Sequence, residues 1–438
     1  MNESKRTITR TTGRFILLIF LWSGAWEASA QTKSNVPAEQ WRQDIDTLQQ
    51  RLPALHPNFF ARYPRPDFVR DMDNLKASLA GKSDFQIALE LQGIVAKAGD
   101  AQTRLDLTDL MLREKIIPFA LSAWSDGLYI SATVKQFEAG GGAKVLKVNG
   151  LDAQEALTKM GRFAAQENEY THRRDALSWF RFPVALRMAG LTSTDTLALL
   201  VEKKNGQTAI IRLYPLDPAN PANRAAMQPI VVQPPQPDLR WRPVAGFFTQ
   251  TWLTADSVLY VRYDRCVSRE TLLAMGDTAS AGQLPAFQVF ADSIFTFLAK
   301  TPQAKVLVDL RFNPGGKPSD GIALARRFAA LPQAQRPAQL FVATNIFTQG
   351  AATEVAACFS SVAGAILIGE ASGTRPNHYD GVRQFLLSRS RITVQFSTQY
   401  RPVQPEDTPV LLPRVVIPVT FEQYRLGQDP VLDFVRNK

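Results

Sequence analysis

Cysteine and histidine are nearly absent from this chain. Its 438 residues hold two cysteines, Cys266 and Cys358, and three histidines, His56, His172 and His378. Two thiols cannot supply the disulfide framework on which small exported folds rest. Sequence alone leaves open whether the two join; a pair of buried free thiols is expected ahead of a disulfide. The histidines are far apart, and no Cys/His cluster has metal-ligand spacing, so neither a metal nor a cofactor is expected. No stripe of Arg and Lys interleaves with aromatics, which argues against a nucleic-acid partner. Internal repeats are missing. After residue 22 no run is apolar enough to cross a bilayer.

The one long apolar run, Phe15 to Trp22, follows a basic start made by Lys5, Arg6, Arg10 and Arg14. Ala28 and Ala30 flank Ser29 in a small-residue cleavage site. Residues 1–30 therefore read as a secretory signal peptide, and the protein as exported, periplasmic or extracellular. Removing them takes away four basic and two acidic residues, lowering the formal charge from +10 to +8. No transmembrane span is expected after cleavage.

The rest divides by pattern. In residues 31–110, Trp41, Ile45, Leu48 and Leu52 recur at helical steps, as do Phe68, Met72, Leu75 and Leu79, then Ile87, Leu91 and Ile94. This is a small helical module. Residues 111–216 alternate strand-like runs (127–131, 143–150, 208–213) with an aromatic, basic helical insert. They have the look of a PDZ-like α+β module, a type that binds extended chains by strand addition. Residues 217–254 are dense in Pro and read as a linker. From 255 to 438, strands at 257–263, 305–310, 339–344 and 365–369 alternate with helices. That predicts an α/β fold with a mostly parallel sheet.

The stretch from Lys305 to Gly316 organises the last region. Val306, Leu307, Val308 and Leu310 form a short β-branched run that reads as a strand buried on both faces. It ends in Asn313, Pro314, Gly315 and Gly316, and Ser319 or Asp320 is placed to cap the helix that follows. A Gly-Gly turn entering a helix aims free N–H groups at one spot, the geometry of an oxyanion hole.

Asp309, Arg311, Asn313, Pro314, Gly315 and Gly316 together resemble the signature of the tail-specific, or C-terminal-processing, serine peptidases, whose family includes the tricorn core. Glu354 in its Ala-rich segment, Ile368-Gly-Glu370, the run from Arg375 to Tyr379 and the run from Gly427 to Leu432 extend the resemblance across roughly residues 255–438. It implies a crotonase/ClpP-like β-β-α core and, by family, proteolysis of peptide or unfolded protein segments. It also implies a nucleophilic serine, a lysine base about two dozen residues later, and in the tricorn-like branch a histidine near the N-terminus.

None of these three is present. Counting back from Glu354 puts the serine position at Ala351; sliding the register offers Gly350 or Gln349. The lysine position holds Arg375, which stays protonated and cannot serve as base. The histidine position holds Gln102, whose amide cannot carry a proton. Thr348 is the nearest alternative nucleophile, with Thr353 beyond; both otherwise read as helix caps. Gly315 and Gly316 remain as oxyanion donors, and Asn377, His378 and Tyr379 as a substrate-binding loop. The expected protein is a degraded, peptide-binding member of a peptidase family. The alternatives are a working peptidase using Thr348 and a purely structural envelope protein. The exported form is expected to begin at Gln31, which intact-mass measurement of the secreted protein checks.

Overall fold

Val306, Leu307 and Val308 lie in a strand, Lys305–Asp309, with all three fully buried. It pairs in parallel with Val258–Tyr263 on one side and Gln339–Thr344 on the other. The computed structural model describes residues 36–244, 246–301 and 303–438; the expected signal peptide lies outside the described residues. The sheet has six strands, in the order Val415–Val416, Ile366–Gly369, Gln339–Thr344, Lys305–Asp309, Val258–Tyr263, Phe248–Leu253. Only the last runs antiparallel to its neighbour. Alternate residues along the central strand face opposite layers. Val306 and Val308 pack against the helices Phe287–Lys300, Ser319–Ala329 and Ala351–Val362. Leu307 packs with Tyr260, Phe341, Trp241 and the C-terminal helix Pro430–Arg436. The class is α/β, as the strand and helix alternation predicts.

Two boundaries differ from the sequence reading. The Pro-rich segment is not a loose linker. Ile230–Val231 pairs with Gly127–Thr133, and Phe248–Leu253 supplies the outer strand of the six-stranded sheet, so the core begins before residue 255. The N-terminal helices Ala38–Leu55, Arg65–Ala77 and Asp84–Ala96 do not close a core of their own. They share one with the second module and with Phe385, Val394 and Phe396, from a hairpin late in the chain. That hairpin takes Arg104–Asp106 as its third strand, and its turn donates two backbone N–H groups to the buried Asp44 carboxylate. The second module holds an antiparallel sheet, Ala120–Trp124, Gly127–Thr133, Lys144–Val148, Leu197–Glu202 and Thr208–Leu213 in spatial order. The cysteines are free, Cys266 buried and Cys358 half-buried.

What fixes the carboxyl end of the central strand is ionic. Arg311 donates from Nε to Asp309 (3.0 Å) and from both terminal nitrogens to Asp429 (2.7 Å each). Arg311 is 1% exposed and both aspartates 0%. Asp429 also caps the helix Pro430–Arg436 through the N–H groups of Val431 and Leu432. Burial opposes ionisation of Asp309, but the charges of Arg311 and Arg240 and the hydrogen bonds from Arg311 and Tyr260 hold it well below the usual carboxylate range. Truncating the cation leaves the buried Asp429 without its guanidinium and Asp309 with only Arg240 and Tyr260, and breaking a buried pair in this way costs about 3–5 kcal/mol. Arg311→Met is expected to lower stability by that amount in urea unfolding, while Arg327→Met, at a surface pair with Asp292, costs less than about 1 kcal/mol.

Candidate functional site

Past Asp309 the chain is stitched to the next loop by short polar side chains. Asn313 donates from its amide to Tyr263 O (2.8 Å) and accepts the N–H of Gly315 (2.9 Å). Asn345 accepts the N–H groups of Phe312 and Phe347. Thr348 accepts the N–H of Asn345 and donates its proton to Leu310 O (2.9 Å). The Gly-Gly turn is thereby locked against residues 345–350. A Cβ on Gly315 would lie 2.9 Å from Gln349 O, and one on Gly316 2.2 Å from Cys266 O, so only glycine fits either place.

This packing corrects part of the oxyanion expectation. The N–H of Gly315 is spent on Asn313, leaving Gly316 as the glycine donor with no recorded partner among the described residues. The helix cap is also different. The helix starts at Ser319 after Pro318 without a side-chain cap, and Asp320 instead accepts from Ser268 Oγ (2.6 Å).

The strand Gln339–Thr344 leads through this loop into the helix Ala351–Val362. The residue at the corner is Gly350, at φ 48° and ψ −118°. A sharp, strained strand-to-helix turn of this kind lifts a nucleophile clear of its surroundings in other hydrolase folds. A Cβ on Gly350 would point to Gln102, 3.4 Å from its Nε2. The position facing the histidine slot is therefore Gly350, one residue before Ala351, which is already the first residue of the helix. Thr348 and Thr353 are both fully buried. Neither caps the helix. Thr353 donates to Thr348 O (3.1 Å) and meets Thr374 Oγ1 at 3.0 Å, and Thr374 Oγ1 accepts the N–H of Gly350.

Gln102 sits on a turn held from below by Asp100. Asp100 accepts the N–H of Gln102 (2.9 Å), the Thr103 hydroxyl (2.5 Å) and a bond from His56 Nε2 (3.2 Å). His56 Nδ1 accepts the N–H of Asn58, which puts the ring proton on Nε2. Burial disfavours the Asp100 anion, yet hydrogen bonds from His56, Thr103, Ser397 and the Gln102 backbone hold its pKa below the ordinary value. Tyr379 covers His56, ring centroids 4.7 Å apart.

Three other expected site residues are committed elsewhere. Arg375 pairs with Asp407 (2.8 Å). Asn377 accepts from the N–H groups of Val403 and Gln404 and donates to Gln404 O, so it holds a turn. His378 is buried, its Nδ1 on Pro376 O (2.7 Å). Glu354 lies in the first helical turn, 3.7 Å from Arg401 Nε, a loose pair.

Glu167, from the helical insert, was not legible as part of this site. Its two oxygens accept the N–H groups of Ala101 (3.0 Å) and Arg375 (2.7 Å), tying the glutamine and arginine segments together. Burial, with the charge of nearby Asp100, pushes its pKa up to about 7. No sequence signal marks it, because both contacts are distant in the chain.

With this geometry in place, solved structures give a direct comparison. Mature CPAF complexed with lactacystin superposes with a TM-score of 0.59 at 13% identity, over 91% of this chain and 98% of that one. Mature CPAF alone gives 0.57 at 12% identity, over 91% and 96%. The fold is that of CPAF. The photosystem II D1 C-terminal processing protease is also among the structures matched, at a TM-score of 0.38 over 90% of this chain and 98% of that one with 12% identity. No family model matches the sequence, and no curated protein does.

The Glu167 clamp makes stability pH-dependent. Its folded pKa is raised from 4.5 to about 7, so the folded state binds the proton more tightly and stability falls as pH rises between those values. The loss is on the order of 3 kcal/mol at most. Urea midpoints at pH 5 and pH 7.5 are expected to show a larger drop for wild type than for Glu167→Gln, which cannot ionise.

Proposed function

We propose that this chain binds peptide or unfolded protein segments on a tail-specific peptidase fold and does not hydrolyse them. The observation that carries the reading is Gly350. It occupies the strained corner where a nucleophile belongs, it has no side chain, and the group its missing Cβ would face is the amide of Gln102. An amide cannot take a hydroxyl proton. Loss of the nucleophile alone costs on the order of a millionfold in a well-characterised serine protease, leaving ~10³–10⁴ over water. Arg375 adds no base, since its guanidinium stays charged and is paired with Asp407. We also infer export, from the signal-like residues 1–30.

A peptidase acting through Thr348 is the reading this displaces. Its hydroxyl is fully buried and its proton is given to Leu310 O. No base faces it among the bonds it makes.

Incubation with casein tests the proposal. Wild type is expected to bind unfolded casein and leave it uncut. Gly350→Ser with Gln102→His is expected to gain measurable cleavage, since it puts a hydroxyl and a base across the same gap. Ala351→Ser with Arg375→Lys is expected to gain none. The serine at position 350 carries backbone strain of about 1–3 kcal/mol, so thermal unfolding of the variant accompanies the assay. Wild-type cleavage that Thr348→Ala abolishes would overturn the reading. Failure to bind casein at all would favour a purely structural protein.

A further inference from the structure

A cavity of about 240 Å³ lies at the carboxyl end of the parallel sheet. It is on the layer that packs Trp241 and Val431, opposite the helix Ala351–Val362. The strand Ala120–Trp124 of the second module closes it, so its walls come from both sheets. Trp124, Tyr170, Trp241, Phe312 and Phe347 supply its aromatic surface, beside aliphatic residues such as Ile346, Ile417 and Val431. Trp124 and Trp241 meet edge to face (6.3 Å), and Phe312 stacks on Phe347 (5.3 Å, 17°).

The one carboxylate among the lining residues is Glu370, from the Gly-Glu pair that the sequence singled out and the Gly350 corner does not use. Its only recorded hydrogen bond to the carboxyl group is a long one from Val419 N–H (3.4 Å). Arg311 also borders the cavity, but its guanidinium is divided between Asp309 and Asp429. Arg173 is exposed and bonded to Gln154 (3.3 Å). Among the described residues, then, no cation pairs with Glu370. A carboxylate in such a recess without an ion-pair partner is costly, and burial raises its pKa although the Val419 N–H and the charge of Arg311 partly offset the shift. A ligand that brings a cation would supply the missing partner, and indole faces would stabilise it further.

We propose that this cavity binds a protonated primary amine carried on an apolar body, with Glu370 pairing the ammonium and the aromatic walls holding the body. The site is separate from the Gly350 corner, and the inference stands apart from whether the chain hydrolyses peptides.

The probes are 2-phenylethylamine and its neutral counterpart 2-phenylethanol, titrated into the full chain and followed by calorimetry. Wild type is expected to bind the amine at least about tenfold more tightly than the alcohol, the size of one charge-assisted hydrogen bond. In Glu370→Gln that preference is expected to vanish while alcohol binding is unchanged. Hydrogen exchange on the wild type locates the site without any variant; protection by the amine is expected at residues 344–347 and 416–419. Equal binding of the two probes, no binding of either, a preference that survives Glu370→Gln, or protection confined to other segments would each overturn the proposal.

Discussion

The buried arrangement of Asp309, Arg311 and Asp429 is the constraint on which the rest depends. A charge pair taken out of water gains little net stability, because desolvation offsets most of the attraction. Its value here is positional. Arg311 follows the central strand by two residues, and Asp429 begins the last helix. One guanidinium therefore sets where the strand ends and where the C-terminal helix docks. Every downstream feature of the site starts from that end: the left-handed Phe312, the Asn313 brace and the two glycines. A looser anchor would let the turn slide, and two glycines packed so closely that a Cβ on either would fall under 3 Å from a backbone oxygen leave no room to slide.

A second constraint closes the site from the other side. The glutamine turn, the arginine loop and the helical insert are three separate stretches of chain, and Glu167 accepts a backbone N–H from two of them. Asp100 and His56 support the same turn from within the N-terminal module. The candidate site is thus assembled by carboxylates that bond to backbone rather than to substrate. This explains how the geometry persists when the side chains that face the gap are Gln102 and a bare glycine.

The parts legible in the sequence were those with local or periodic causes. The β-branched run ending in glycines reads as a buried strand, and the helix at 38–55 follows from the three- and four-residue spacing of Trp41, Ile45, Leu48 and Leu52. The strand Phe248–Leu253 was hidden because proline density upstream outweighed a short alternating run. The shared N-terminal core was hidden because Phe385 and Val394 lie almost three hundred residues from Leu105. The choice between Ala351 and Gly350 for the corner was not open to counting. Counting from Glu354 assumes a fixed helix start, while backbone dihedral angles show that the corner belongs to Gly350. Asn377 and His378 read as binding residues because they are polar and sit in a matched run; only their hydrogen bonds reveal that a turn consumes them.

The corner itself carries the last step. A residue with a side chain at φ 48° and ψ −118° is strained, and active sites tolerate such strain because function needs it. Glycine adopts the same angles at little cost. Glycine at this corner therefore carries little strain, whereas glycine inside a helix is destabilising. Across the gap Gln102 presents an amide that can donate and accept hydrogen bonds but is not a base. The framework of Asn313, Asn345 and Thr348 holds the turn in place beneath both positions.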